Sequence, residues 1–232
     1  MTKNALIVGA GPGISASFAR ALHAEGYKVS LAARTPGKLA DLASEIDART
    51  FDCDATRIDE VAAVYTELDR SGTDLDIVLF NASAREPGPI TDISPAGVAN
   101  ALNISAYGGF LVAQEAAKRM VKRNSGAIFF TGASASVKGY PKSAAFAMGK
   151  FALRGLAQSM ARELAPQGIH VAHFVIDGGV RSEARGRVEG PDETPDRWLH
   201  PDAIADAYMA VLKQPRSAWT WELELRPWVE NF

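Results

Sequence analysis

Three glycines lie close together just after the first apolar run of the chain. Residues 8–14 read Val-Gly-Ala-Gly-Pro-Gly-Ile, and a segment of helical period begins where they end. Glycines let a backbone approach a diphosphate, and a helix N-terminus supplies free N–H groups and a partial positive charge. A tight turn without a ligand would have the same composition, but the placement favours a dinucleotide site. The residues expected to contact the cofactor are Gly9, Gly11, Gly13 and Ile14.

The residue after the second apolar run bears on which dinucleotide would bind. That run, residues 29–33, is followed by Arg34, where a site for NAD would usually have an acidic residue to bind the ribose hydroxyls. A guanidinium can instead pair with the 2′-phosphate of NADP. We therefore favour NADP(H) over NAD as the cofactor. The alternative is a solvated arginine that opens the next helix.

Short apolar runs alternate with segments of helical period over the whole chain. The runs predict strands at residues 5–8, 29–33, 50–52, 77–80, 127–131, 169–176 and 219–225. The segments between them predict helices at about 13–25, 36–46, 57–70, 95–123, 143–165 and 201–213. Runs without clean alternation are typical of strands covered on both faces, and repeated strand–helix order implies right-handed crossovers. We expect a doubly wound α/β fold of Rossmann type, with a parallel sheet of about seven strands in one domain over residues 1–232.

Two stretches towards the C-terminus differ from this pattern. Residues 178–200 have no periodicity and are rich in Gly, Pro, Arg and Glu. Because ligands of such folds bind outside the carboxyl ends of the strands, this stretch is a candidate lid, with a plain surface loop as the alternative. The last run, 219–225, alternates cleanly, which is typical of a half-exposed edge strand. Its aromatic residues Trp219 and Trp221 either cap the fold or seal a subunit contact.

The order of these motifs resembles the short-chain dehydrogenase/reductase family over almost the full length of the chain. The glycine-rich turn is similar to that family's Thr-Gly-x-x-x-Gly-x-Gly pattern, with Val8 in place of the threonine and Ser15 in place of the last glycine. The resemblance also rests on an Asp-Ala-Thr segment at 54–56, on Asn-Ala-Ser at 81–83, and on a turn at 177–182 in which Asp177 replaces a proline. It implies further cofactor contacts from Asp54, Asn81, Ala82, Gly178, Val180 and Ser182.

The same resemblance implies a catalytic centre that this chain has only in part. The family uses a serine, a tyrosine and a lysine, with the last two four residues apart on one helix face so that the ammonium lowers the phenol pKa. Lys150 is present, but Phe146 stands four residues before it and Ala133 thirteen before that. Neither side chain can donate a proton. Loss of positioned acid–base help typically costs about 10²–10⁴ in rate.

Four residues are candidates for the remaining chemistry. Lys150 can bind the ribose hydroxyls of the nicotinamide half, and its alternative is an exposed helical lysine. The resemblance places Asn103 as the catalytic asparagine. Ser134 and Tyr140 lie on the loop before Phe146. The Ser134 hydroxyl could reach the substrate oxygen, and Tyr140 could swing towards the nicotinamide. Their alternatives are a hydroxyl that bonds nearby backbone and a half-buried loop aromatic.

Composition excludes several other classes of function. The formal net charge is −2, too near neutral to indicate a nucleic-acid or membrane surface. No run of about 18 apolar residues predicts a membrane span. Cys53 is the only cysteine, so an intrachain disulfide is impossible and a reducing, cytoplasmic location is expected. His170 and His173, three apart on a predicted strand, point to opposite faces, and the four histidines predict no metal site.

The leading hypothesis is an NADP(H)-dependent oxidoreductase with an altered acid–base centre and a small carbonyl, alcohol or activated alkene as substrate. A non-catalytic NADP(H)-binding sensor or scaffold is the main alternative, and a dinucleotide fold that no longer binds a ligand is the third. The family resemblance implies a homodimer or homotetramer assembled across the two long helices. Packing of those helices on the sheet is the alternative use of their small residues.

Overall fold

A single seven-stranded parallel sheet forms the centre of the molecule. The computed structural model describes residues 3–190 and 194–231. The strands are β1 (Lys3–Val8), β2 (Tyr27–Ala33), β3 (Arg49–Asp52), β4 (Ile77–Phe80), β5 (Gly126–Thr131), β6 (Ile169–Ile176) and β7 (Glu222–Leu225). Their order in the sheet is β3-β2-β1-β4-β5-β6-β7, and every neighbouring pair is parallel. The expected doubly wound fold is confirmed, and its chain order reverses between β1 and β4, where ligands of such sheets bind.

Helices cover both faces of this sheet. They are α1 (Ile14–Ala24), α2 (Ala40–Glu45), α3 (Ile58–Arg70), α4 (Pro95–Leu102), α5 (Gly108–Arg123), α6 (Ala144–Leu164) and α7 (Pro201–Leu212). On one face, Ile7, Phe129 and Phe174 belong to the same buried cluster as side chains of α1 and α7. On the other, Leu6 and Phe130 cluster with side chains of α3, α5 and α6. Burial on both faces explains why the strand sequences lack alternation.

Three predicted elements differ from the structure. The helix expected at 36–46 begins as a 3₁₀ turn, Pro36–Leu39, and only then continues as α2. The helix expected at 95–123 is continuous but contains a π-helical turn, Asn103–Tyr107, between α4 and α5. The strand expected at 219–225 begins only at Glu222, and it is the edge strand as expected. Residues 219–221 lie outside this strand. The strand pairs with β6 from Glu222, opposite His173, to Leu225, opposite Ile176.

The helical run Pro95–Arg123 contains an 18-residue stretch that is long and apolar enough for a membrane-spanning helix. In this fold, however, its residues Leu111, Val112 and Met120 are buried in the cluster between the sheet and its helices. Tyr65 of α3 donates a hydrogen bond from its hydroxyl to the Val112 carbonyl at 2.7 Å. The run is therefore packed as a core helix.

Candidate cofactor and catalytic site

The glycine-rich turn between β1 and α1 has a backbone that only glycine tolerates at its first position. Gly9 has a φ of +77°, and a Cβ added there would lie 2.4 Å from the backbone nitrogen of Ala82. Gly13, with a φ of +91°, is the N-cap residue of α1. The first turn of α1 contains no acidic residue, and no side chain caps it. Its free N–H groups and partial positive charge are therefore available to an anion.

Side chains from two strand ends tie this turn in place. Asn81, directly after β4, donates from Nδ2 to Ser15 Oγ at 2.7 Å, and its backbone N–H donates to the Val8 carbonyl at 2.9 Å. Ser15 Oγ in turn donates to the Gly9 carbonyl at 3.4 Å. Ser15, which departs from the family's glycine, thus links the ends of β1 and β4. The sequence marked that position only as a departure.

Arg34 and Asp54 lie at the ends of β2 and β3, on the far side of the glycine turn. Arg34 is exposed and makes no hydrogen bond or ion pair with any residue in 3–190 or 194–231. Burial favours a higher pKa for Asp54, but two hydrogen bonds from Thr56 and the charges of Arg34 and Arg57 lower its pKa below the usual value. The expected residues for the adenosine end therefore share one corner of the sheet edge.

Lys150 is buried at the carboxyl edge of β5. Its side chain is on α6, only 3% of the residue is exposed, and Nζ donates to the Thr131 carbonyl at 2.7 Å. Burial, together with the positive charge of Arg85, lowers the pKa of Lys150 to about 7. A surface position for this lysine, the alternative left by the sequence, is wrong.

Phe146 shares a helix face with Lys150 and lies between two cations. The Lys150 Nζ is 6.0 Å from the Phe146 ring centroid, and the Arg85 guanidinium carbon is 4.1 Å from it. Arg85 is in the loop after β4, four residues beyond Asn81. Sequence reasoning missed Arg85, although a charged residue close to the carboxyl end of a central strand is the signal that could have found it.

A buried polar chain holds the loop that follows β5. The Ala133 N–H donates to Ser136 Oγ at 3.2 Å, and Ser136 Oγ lies 3.3 Å from His173 Nε2. His173 Nδ1 lies 3.1 Å from Glu222 Oε2, and Arg154 donates two hydrogen bonds to the same carboxylate. Burial lowers the pKa of His173 to about 4 despite the neighbouring Glu222 charge. The imidazole is therefore neutral at pH 7, donating from Nδ1 to Glu222 and accepting at Nε2 from Ser136.

The other candidate catalytic residues are less closely gathered. Ser134 is half-buried at the start of a short 3₁₀ helix on this loop. Tyr140 is 43% exposed, and Asn103 is exposed at the start of the π-helical turn. Ser105, two residues after Asn103, is instead fully buried and accepts a hydrogen bond from the Ala84 N–H at 3.1 Å. Ser105 packs closely on α6, since a Cβ added to Gly149 would lie 2.9 Å from the Ser105 Cβ.

The turn after β6 lies at the same edge of the sheet. Gly178 has a φ of +145°, and a Cβ there would lie 2.8 Å from Pro227 Cδ. Val180 pairs with Leu199, and Ser182 pairs with Arg187, through isolated β-bridges. Asp177, where the family pattern has a proline, is buried and accepts from Lys138 Nζ at 2.9 Å.

Much of the candidate lid, residues 178–200, is held by these bridges, and residues 191–193 of it lie outside the described residues. Within 3–190 and 194–231, no group of three or more His, Cys, Asp or Glu side chains is placed to hold a metal ion.

Comparison with known proteins gives a consistent result. A family model described as short chain dehydrogenase matches residues 3–190. An uncharacterized oxidoreductase of Staphylococcus aureus (strain USA300) is 28% identical over 228 residues, which cover 97% of each chain.

Two solved structures are similar over nearly their whole length. A short-chain dehydrogenase from Rhodopseudomonas palustris is 37% identical, with a TM-score of 0.83, and the match covers 97% of this chain and 99% of that one. A metagenomic short-chain oxidoreductase in complex with NADP is 26% identical, with a TM-score of 0.82, and the match covers 97% of both chains. This chain belongs to the short-chain dehydrogenase family.

Proposed function

We propose that this protein is an NADP(H)-dependent oxidoreductase of short-chain type that acts on a small carbonyl, alcohol or activated alkene. The observation that carries the proposal is the glycine turn at the β1–β4 switch point. Gly9 packs against Ala82 so closely that no side chain fits, and the uncapped N-terminus of α1 follows directly. Such a turn fits a diphosphate, and Lys150 lies at the same edge of the sheet, near the end of β5.

Arg34 supports NADP(H) rather than NAD. Its exposed guanidinium follows β2 and has no partner within the described residues, so it is available to a 2′-phosphate. The metagenomic relative was solved with NADP. Lys150 would donate to ribose hydroxyls, and the bound cofactor would supply or accept a hydride at its nicotinamide ring.

The acid–base centre is atypical in this proposal. Phe146 and Ala133 stand where the family has its tyrosine and serine, and neither can exchange a proton. Water, Ser134, Tyr140 or the substrate itself would supply the proton. Ser105 is buried on the neighbouring helix and would position the loop after β4 through its hydrogen bond to Ala84. An alkene acceptor would depend less on the missing phenol than a ketone would.

A non-catalytic NADP(H)-binding module is the second candidate. It is favoured by one observation, which is that the Phe146 ring lies between the Arg85 and Lys150 cations where the family would have a phenol. Such a protein would bind the same cofactor but would not turn over.

Titration with NADPH and NADH, followed by nicotinamide fluorescence, tests the cofactor. We expect NADPH to bind more tightly than NADH, and Arg34→Gln to reduce the difference by about tenfold, the effect of one lost charge-assisted pair. Arg70→Gln, a 74% exposed arginine side chain on α3, is the matched control and should leave it unchanged. Absence of NADPH binding would contradict both candidate functions. Turnover of an aldehyde, ketone and enone panel separates the enzyme from the binding module.

A further inference from the structure

Arg85 lies against Phe146, and Arg185 and Arg187 follow β6 at the same edge of the sheet. None of these three arginines forms an ion pair within residues 3–190 and 194–231. From them we propose that the substrate carries an anionic oxygen group, a carboxylate or a phosphate, which binds to Arg85, Arg185 and Arg187. This inference rests on the proposed function, because it names the substrate class of the same site.

Arg85 is the arginine nearest to the catalytic positions. Its guanidinium carbon lies 4.1 Å from the centroid of the Phe146 ring, and Lys150 Nζ lies 6.0 Å from the same centroid. The nearest acidic residue in sequence, Glu86, faces elsewhere. A Cβ added to Gly97 on α4 would lie 2.3 Å from the Glu86 carboxyl carbon. Among the described residues, the Arg85 guanidinium therefore has no carboxylate partner, and it stacks on the Phe146 ring instead.

Arg185 and Arg187 lie on the segment after β6, at the same edge of the sheet as Arg85. Arg185 ends the short 3₁₀ helix Glu183–Arg185, and Arg187 is fixed by its bridge to Ser182. The Arg187 guanidinium carbon lies 5.8 Å from the ring of Trp198. Both charges act on Arg85, whose pKa is lowered first by burial and then by these two arginines.

Like charges at one edge of the sheet repel one another, and a bound anion would offset that repulsion. Within residues 3–190 and 194–231, none of the three arginines forms an ion pair with a carboxylate. Other arginines of the same region do find partners, since Arg181 lies 3.7 Å from Glu189 and Arg154 lies 2.6 Å from Glu222. The protein as a whole has a net charge of −2, so the cluster does not reflect a general excess of positive charge.

The anion proposed to bind Arg85, Arg185 and Arg187 is distinct from the 2′-phosphate of the cofactor. Arg34, which suits that phosphate, follows β2, whereas the cluster follows β4 and β6. Because β4 and β6 are two and four strand positions from β2 in the sheet, about 10 Å and about 19 Å separate their ends from the end of β2 at the usual spacing of about 4.8 Å. A guanidinium fork matches carboxylate and phosphate oxygens. An anion held there would place the rest of a small substrate against Phe146 and Lys150.

A pair of nearly isosteric aldehydes tests the proposal on the full chain with NADPH. 4-Formylbenzoate carries the charge, 4-formylbenzamide does not, and 4-formylphenyl phosphate is the phosphate arm. We expect kcat/KM for a charged aldehyde to exceed that for the amide by about tenfold or more, the contribution of one charge-assisted bidentate pair. Arg85→Gln should abolish most of that preference, Arg187→Gln should reduce it, and Arg70→Gln should leave it intact.

Equilibrium titrations keep the test decisive if turnover is slow. The product analogues 4-(hydroxymethyl)benzoate and 4-(hydroxymethyl)benzamide are titrated by calorimetry into the protein with and without saturating NADPH. Tighter binding of the benzoate, weakened by added salt and by Arg85→Gln, is the expected result.

Equal affinity for the two analogues, or an unchanged preference in Arg85→Gln, would overturn the proposal. So would a loss of NADPH affinity in Arg85→Gln, because the cluster would then belong to the cofactor. Failure of the proposed function would give another result, because NADPH would then not bind. The titration without cofactor would still show whether the protein prefers the benzoate to the benzamide.

Discussion

The two halves of the carboxyl edge of the sheet are built in contrasting ways. At the ends of β1 and β4, the geometry rests on the close backbone approach of Gly9 to Ala82, and a side-chain hydrogen bond from Asn81 to Ser15 supports it. At the ends of β5 and β6, the polar side chains Ser136 and His173 are buried, and Phe146, also buried, lies beside Lys150. Phosphate binding by backbone N–H groups tolerates changes of side chain, whereas proton transfer depends on a hydroxyl at one position.

The largest expected effect comes from breaking the backbone-built half. In Gly9→Ala, the new Cβ would meet the Ala82 nitrogen at 2.4 Å at a φ of +77°, so the turn or β4 must move. We expect NADPH affinity to fall about 100-fold or more, because strain of about 1–3 kcal/mol adds to the lost contacts. Fluorescence titration measures it.

Gly155→Ala on α6 is the control for this variant, since nothing lies within 4 Å of the added Cβ and the residue is helical. A Gly9→Ala protein that binds NADPH as the wild type does would show that the close approach to Ala82 is unimportant.

The next effect sharpens the comparison by weakening the inward-facing polar chain. His173→Ala leaves Ser136 Oγ and one Glu222 contact without their partner, in a site where His173 is fully buried. We expect a loss of about 2–4 kcal/mol in the free energy of unfolding, measured by urea denaturation. His23→Ala, at an exposed position of α1, should change the free energy of unfolding little. Equal losses in both variants would contradict the stabilising role given to the hydrogen bonds of His173.

The same histidine should make the wild type sensitive to acid. The pKa of His173 is lowered from the usual 6.5 to about 4, so between those pH values the unfolded chain binds a proton that the native protein does not. Its contribution to stability is therefore complete above pH 6.5 and is lost as pH falls towards 4. Glu222, Arg154 and Lys150 carry the charges around it. His173→Gln should remove this part of the pH dependence, and an unaltered profile would argue against it.

A smaller effect concerns the lysine that joins the two halves. With a pKa of about 7, Lys150 loses its proton as pH rises through neutrality, and with it the charge that would bind ribose hydroxyls. Above that pKa, NADPH affinity should therefore fall by about tenfold for each further unit of pH. In Lys150→Met, affinity should be weaker, and this fall above neutrality should be absent. If NADPH affinity depends on pH in the same way in the wild type and in Lys150→Met, Lys150 has no part in cofactor binding.

Much of the backbone-built half could be predicted from sequence because its signals are local. The glycine turn lies between an apolar run and a helical segment, and the run of alternating elements specified the sheet. Arg34 was predicted as the residue that directly follows β2, and Asn81 was predicted from the family resemblance of the short motif that follows β4. All of these depend on neighbours along the chain.

The other half resisted prediction because its contacts are long-range. His173 reaches Ser136 across 37 residues and Glu222 across 49, and nothing in the local pattern of β6 indicates either partner. The π-helical turn Asn103–Tyr107 changes the helical spacing, so that Ser105 rather than Asn103 is buried against α6. Arg85 gains its position only from the packing of its loop on Phe146.

The most direct test of the contrast between the two halves is a double variant, Ala133→Ser/Phe146→Tyr, assayed in parallel for NADPH affinity and for aldehyde reduction. If the cofactor half is intact and only the hydroxyls are missing, NADPH affinity should stay within about twofold while kcat rises about tenfold or more. An unchanged rate in a double variant that still binds NADPH, or a rate gain that comes with altered NADPH affinity, would contradict the account.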